Sequence, residues 1–280
     1  MRASTSSRSV SDSVRRLTES DISQALALSS QAGWNQIAKD WETLIALAPD
    51  SSFALDCEGR LAATATLVCY GEQLAWLGMV MTKTEFRRRG FARIIVGHAL
   101  AEADARGIRT VKLDATALGQ PLYESFGFVA EQEVQRWSSQ HGLVNACKDD
   151  TCRESDSPIE NLDIRAFGAN RHILLDALAP RAHPLLDGDD FAFYRDGLRA
   201  SYLGPCISHS SGSAKRLIAS ALARQRGPWL WDLLPSNPQA LALALGFDFT
   251  VDRRLVRMSR GAPFRGDESM VYAIAGFEFG

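Results

Sequence analysis

The chain has 280 residues, 46% of them hydrophobic, enough for a sizeable core and for two domains of ordinary size. A net charge of -2 creates no overall field for nucleic acid or an acidic membrane surface, so any phosphate binding must be local. No apolar run approaches the roughly 20 residues that span a bilayer, and the start of the chain carries no secretory apolar stretch. Five scattered cysteines (Cys57, Cys69, Cys147, Cys152 and Cys206) do not resemble a secreted disulfide framework, so the expected location is cytoplasmic, with free thiols.

Met1 to Ser13 is rich in Ser, carries Arg2 and Arg8, and has no acid before Asp12. This composition fits a flexible tail and more weakly a transit peptide. Arg15-Arg16-Leu17 then predicts a strand running into a helix, with Thr18 or Ser20 as cap and Ile22, Ala25, Leu26 and Leu28 on one face. Gln36 to Leu47 repeats apolar residues at Ile37, Trp41, Leu44 and Ile45, and Pro49-Asp50-Ser51 ends that second helix. Ser52 to Asp56 and Leu61 to Tyr70 flank the turn Cys57-Glu58-Gly59-Arg60 and predict a hairpin. Leu74 to Met81 is almost wholly apolar, as expected of a central strand covered on both faces. Phe91 to Ala105 predicts a helix stopped by Arg106-Gly107, followed by a strand at Thr110 to Asp114, a short helix at Pro121 to Phe126 and a strand at Phe128 to Trp137.

His141 to Pro158 is polar and charged, which places a domain boundary there. Cys147 and Cys152 have no second pair or His nearby, so no metal site is expected. Beyond this boundary the pattern repeats. Trp231-Asp232-Leu233, followed by Pro238 to Phe247, parallels Leu113-Asp114 followed by Pro121 to Phe128. Val134-Gln135-Arg136-Trp137 likewise parallels Leu255-Val256-Arg257-Met258, the signature of a diverged duplication.

Arg87-Arg88-Arg89-Gly90-Phe91-Ala92 stands where an apolar strand becomes a helix. Small Gly90 and Ala92 allow a phosphate to approach helix-terminal amides, and the three arginines can add charge-assisted hydrogen bonds. Isolated, such a run is usually a solvated surface; its placement between strand and helix points to a pyrophosphate cradle. The six residues resemble the R/Q-x-x-G-x-G/A signature of the GNAT (GCN5-related N-acetyltransferase) superfamily, with Ala92 where many members carry Gly. Pro121-Leu122-Tyr123-Glu124-Ser125-Phe126-Gly127-Phe128 resembles the family's terminal Y-x-x-x-G-F element.

The resemblance implies an α/β (α+β) fold, with a mixed, mostly antiparallel sheet flanked by helices and followed by a second GNAT-like half. It implies acetyl-CoA as acyl donor, bound through Arg87, Arg88, Arg89, Gly90, Phe91 and Ala92. Pantetheine would pair with the backbone of Met79, Val80 and Met81, one of whose amides would meet the oxyanion. It also implies Tyr123 as the acid that protonates the departing thiolate. Trp76 stands near the place where some members carry a basic Glu, so a water-relayed base is expected, with Asp114 as the nearest carboxylate. Trp34, Asn35, Asp40, Trp41 and Trp76 are the candidate acceptor-pocket residues, although Trp at helical spacing is more often core.

The expected division is a tail at 1–13, a catalytic GNAT domain at 14–138, a linker at 139–160 and a degenerate GNAT-like domain at 161–280. In the last of these, Ser208-His209-Ser210-Ser211-Gly212-Ser213 replaces the arginine loop and Ala242 stands where Tyr123 stands, with Tyr194, Tyr202 and His209 as side chains it could lend to the acceptor cleft. The leading reading is an acetyl-CoA-dependent N-acetyltransferase acting on a small-molecule primary amine, with no metal, nucleic-acid or membrane partner. A non-catalytic acyl-CoA sensor is the alternative, and a doubly wound nucleotide-binding protein ranks last because no G-x-G-x-x-G follows an early strand.

Overall fold

The computed structural model describes residues 13–142 and 159–280. The expected tail before Ser13 and the linker cysteines Cys147 and Cys152 lie outside the described residues. In the first half, β1 (Ser13–Arg16), β2 (Ser52–Cys57), β3 (Arg60–Tyr70) and β4 (Leu74–Thr82) pair antiparallel in that order. The β2–β3 hairpin turns through Glu58 and Gly59 at φ 54° and 72°, the left-handed pair that a two-residue turn demands. α1 (Ile22–Gln31) follows a 3-10 turn in which the Thr18 amide donates to Asp21 Oδ2 at 2.9 Å. α2 (Ala38–Leu47) starts where the Ile37 amide donates to Asp40 Oδ2 at 2.8 Å.

These two helices bury Ala25, Leu28, Trp41 and Leu44 on one side of the sheet, and α3 (Phe91–Ala105) buries Ile95, Val96, Ala99 and Leu100 on the other. β5 (Thr110–Ala115), α4 (Gln120–Glu124) and β6 (Val129–Ser139) complete the half. Periodicity located these elements because both faces of the sheet are covered and each helix buries one stripe.

The second half repeats the series: helices α5 (Glu160–Phe167) and α6 (His172–Leu178), then strands β7 (Ala182–Asp187), β8 (Asp190–Arg195) and β9 (Ser201–Ile207). α7 (Ser211–Arg224), β10 (Trp229–Leu233), α8 (Pro238–Gly246), β11 (Thr250–Gly261) and a short β12 (Val271–Ala273) follow. α7 begins at Ser211 because the Ser210 hydroxyl accepts the Ser213 amide at 3.2 Å and caps the helix there.

One 12-stranded sheet runs through both halves in the order β1-β2-β3-β4-β5-β11-β6-β10-β9-β8-β7, with β12 on β9. The closing strands are therefore exchanged. β11 lies between β5 and β6, and β6 lies between β11 and β10, all antiparallel. Two equivalent buried ion pairs hold this register. Arg257 on β11 donates through Nε and Nη2 to Asp114 on β5 at 2.9 and 3.0 Å, and Arg136 on β6 donates to Asp232 on β10 at 2.7 and 2.6 Å. The repeated Asp and Arg positions in the sequence are these pairs, each crossing from one half to the other.

Candidate active site

β4 and β5 run parallel for only three residue pairs, Leu74 opposite Thr110 through Trp76 opposite Lys112, and then splay. Beyond the split β4 bulges. Its pairing to β3 shifts between Thr64 and Thr66, Met79 sits at φ 48°, and the Thr64 hydroxyl donates to the Met79 carbonyl at 2.8 Å. Among the described residues no strand pairs with β4 on its β5 side past Trp76. Met79, Val80 and Met81 thus line the mouth of a V-shaped opening, as a strand-like ligand requires.

The arginine loop lies at the end of β4. Arg88 at φ 62° and Gly90 at φ 83° put two left-handed residues just before α3, a curl that turns backbone amides toward one point. A Cβ at Gly90 would meet nothing within 4 Å, so the space over the helix start is clear. The first-turn amides of α3 have no intrahelical acceptor and carry the positive end of the helix dipole. Arg87, Arg88 and Arg89 are exposed around it. Arg89 is braced by Phe86 and Phe91, 5.4 and 5.0 Å from their ring centroids, and by Glu58 at 3.3 Å. The residues present fit a diphosphate.

Tyr123 in α4 belongs to the same apolar cluster as Phe86, Phe91 and the partly buried Val80, with the Phe128 ring edge-on at 5.9 Å. Burial pushes its phenol well above the usual value, so it stays protonated through neutral pH. The structure therefore places Tyr123 in the apolar cluster that also takes Val80 of β4 and the Phe86 and Phe91 rings that brace Arg89.

Other expected site residues go elsewhere. Asp114 is fully buried against Arg257, and burial raises its carboxyl while the guanidinium opposes that rise. Trp41 is a core residue at 0% exposure, its indole N–H 3.4 Å from the Ser29 hydroxyl. Trp76 is also buried, under Arg257 at 4.7 Å, and donates to the Phe277 carbonyl at 2.9 Å. Trp34 is half-buried. Asn35 accepts the Arg199 and Ala200 amides at 2.9 and 3.1 Å, tying the loop before α2 to the second half. Asp40 faces Arg181 at 2.6 Å.

Sequence reading did not anticipate the segment after β12. It crosses the faces of β9 and β4: a Cβ at Gly204 of β9 would collide with the Ile274 carbonyl, and one at Gly78 of β4 would stand 2.9 Å from the Glu278 carbonyl. A cleft on this face, lined by Trp76, Lys112, Arg171, Arg257 and Glu268, lies beside the same segment.

The equivalent opening in the second half is closed by the chain itself. β9 and β10 also pair for only three residues, but β12 then lies on β9, with Ala273 opposite Cys206 and Val271 opposite Ile207. The Ile274 amide reaches across to the Asp232 carbonyl of β10 at 2.9 Å. The loop before α7 spends its donors internally. Ser210 caps the Ser213 amide, Asp190 accepts the Ser208 hydroxyl at 2.6 Å and sits 2.7 Å from His209 Nδ1, and Asp187 accepts the Ser213 hydroxyl at 2.6 Å. Two carboxylates there oppose an anion.

This arrangement, a split parallel pair with an amide-rich loop at its mouth, present twice and asymmetrically, defines a tandem acyl-transfer fold. Residues 19–128 match the Acetyltransferase (GNAT) family and residues 159–273 match an Acetyltransferase (GNAT) domain. The chain belongs to the GNAT acetyltransferases, as a transferase carrying two copies of the domain. It is 26% identical over 275 residues to the Bacillus subtilis (strain 168) uncharacterized N-acetyltransferase YitH, covering 91% of this chain and 95% of that protein. In fold it is similar to a putative acetyltransferase from Pyrococcus horikoshii, with a TM-score of 0.85, 20% identity and 96% of each chain covered. It is also similar to a tandem GNAT protein from the clavulanic acid biosynthesis pathway, with a TM-score of 0.59, 12% identity, and 90% and 99% of the two chains covered. Among the described residues no helix is long and apolar enough to cross a membrane.

Proposed function

We propose that the first half transfers an acetyl group from acetyl-CoA to the primary amine of a small molecule, and that the second half is a non-catalytic partner. One contrast carries this reading: the first half has an open split with a cationic loop at its mouth, whereas β12 and two carboxylates occupy the equivalent places in the second. Arg87, Arg88, Arg89 and the amides of Gly90 to Ala92 would hold the pyrophosphate. The backbone of Met79 to Met81 would align the pantetheine, with one amide receiving the oxyanion. Tyr123 would protonate the departing thiolate. Asp114, committed to Arg257, would serve the architecture rather than the chemistry. A small acceptor is supported by the cover that the Gly276 to Gly280 segment lays over β4, where Trp76 Nε1 donates to the Phe277 carbonyl and the Glu278 backbone rests on Gly78.

The test is calorimetric titration with acetyl-CoA, followed by a thiol-release screen of amino acids, polyamines and aminoglycosides. Binding is expected at one acetyl-CoA per chain; two equivalent sites would refute the closed second cleft. Binding without thiol release from any amine would favour an acyl-CoA sensor. Arg88→Ala with Arg89→Ala is expected to weaken acetyl-CoA binding at least about tenfold, since each lost charge-assisted bond weakens an anion site. Unchanged affinity in the same titration would remove the loop from the cofactor site.

A further inference from the structure

One cleft takes no part in the chemistry above. It lies on the sheet face opposite α3, where Leu74 and Trp76 of β4 join the core cluster of α1 and α2, while Ala75 and Leu77 join that of α3. Both halves build it. Trp76 and Lys112, the last pair joining β4 to β5, line it from the first half. Phe167 of α5, Leu234, Phe264 and Ile274 line it from the second.

The charged side chains of the lining are Lys112, Arg171, Arg257, Arg265 and a single acid, Glu268. Both oxygens of Glu268 are engaged, Oε1 accepting from Gln132 Nε2 at 2.7 Å and Oε2 from the Ser236 hydroxyl at 2.8 Å. Of the cations only Arg171 has every nitrogen engaged, by Asp163 and the Gly280 carbonyl. Lys112 Nζ makes one hydrogen bond, to Glu131 at 2.8 Å, which leaves donor capacity unused. Arg257 spends Nε and Nη2 on Asp114, while Nη1 donates to nothing among the described residues and is not sealed from solvent. Arg265 is exposed, and its side chain makes no hydrogen bond or ion pair among the described residues. Glu131, Asp114 and Asp163 stand outside the lining, so a ligand entering the cleft meets spare donors on cations.

Each ring of the lining carries one of these cations. Arg257 lies 4.7 Å from the Trp76 ring, Arg171 4.0 Å from Phe167 and Lys112 5.9 Å from Phe264, so the charges are held against apolar surface. Lys112 and Arg257 also burden one another. Burial lowers the pKa of the ammonium, the Arg257 charge adds to that, and Glu131 opposes it. An anion beside the two cations would relieve this cost.

We propose that this cleft between the halves binds a small carboxylic acid with an apolar body. Its carboxylate takes the spare donors of Lys112 and Arg257, with Arg265 at the exposed edge, and its body lies against Trp76, Phe167 and Phe264. A few polar groups converging on a mainly apolar lining are the usual make-up of a small-molecule site. A single negative charge is favoured over a phosphate dianion, because Glu131 and Asp114 already offset much of the charge on the two buried cations. The inference stands apart from the transferase reading, since it needs no acyl donor.

The experiment is calorimetric titration of the full chain, without acetyl-CoA, with phenylacetate, its neutral isostere phenylacetamide, and inorganic phosphate. Phenylacetate is expected to bind at one per chain, at least about tenfold more tightly than either of the others. It should also raise the midpoint of urea unfolding, because it binds only the folded chain in which both halves meet. Arg265→Ala removes a cation that has no partner in the protein. It should weaken phenylacetate about threefold or more, with the midpoint of the unliganded protein and the affinity for phenylacetamide unchanged. Lys112→Met with Glu131→Gln removes the buried pair without stranding a charge, and should weaken phenylacetate about tenfold or more. Phenylacetamide binding as tightly as phenylacetate would overturn the carboxylate assignment, and tighter binding of phosphate would overturn the class of ligand. Neither heat nor a midpoint shift with phenylacetate at about 10 mM would overturn the site itself. If the double variant does not fold, Arg265→Ala decides: an unchanged affinity for phenylacetate overturns the proposal.

Discussion

Arg257→Ala is expected to lose about 3–5 kcal/mol of unfolding free energy, the cost of stranding a buried charge whose partner has been removed. The Asp114 side chain is 0% exposed and that of Arg257 is 7%, so water cannot replace the two hydrogen bonds at 2.9 and 3.0 Å. The damage should not stay local, because β11 carries Arg257 into the first half's sheet between β5 and β6. Urea titration followed by circular dichroism should show a single transition with its midpoint shifted down. Asp232→Ala, which strands Arg136, should do the same. The double replacement Asp114→Asn with Arg257→Met should recover much of the loss, since it leaves no buried charge alone. A variant with native stability, or two separate transitions for the two halves, would contradict the exchanged-strand account.

Tyr123→Phe is expected to lower kcat about 100-fold at unchanged acetyl-CoA affinity, within the range for losing one positioned acid. The phenyl ring keeps the contact with Phe128 and its place in the cluster with Phe91, so stability and cofactor binding should survive. Burial keeps the phenol protonated, so the loss should be nearly constant across the neutral range rather than confined to one limb of the pH profile. Stopped-flow thiol release and calorimetric titration check the two halves of this statement. An unaltered kcat would take Tyr123 out of the mechanism. A weakened Kd with unaltered kcat would make it a packing residue of the cofactor cleft.

The turn that carries the three arginines and the short helix that carries Tyr123 were legible in the sequence because both are local features. A strand-to-helix turn needs small residues where a phosphate approaches, and a short helix directly before a Gly-Phe carries its tyrosine with it. Trp41 and Trp76 are buried for equally physical reasons. Helical spacing places Trp41 on a buried stripe whether that stripe faces a ligand or a core, and here it faces the core. Trp76 lies on an apolar strand covered on both faces, and its cover is Gly280, over a hundred residues away in the chain.

Residue type and periodicity by themselves determined the succession of strands and helices, the doubling of the pattern, and the cationic turn before α3. The repeated Asp and Arg positions were visible as well, but not whom they would meet. Tertiary structure decided that Asp114 binds Arg257 rather than a substrate, that β6 and β11 change places, and that β12 fills one cleft while leaving the other open. Local backbone preferences act over a few residues, whereas strand exchange and ion pairing between residues more than ninety positions apart depend on which sheet edges and buried charges the folded chain brings together.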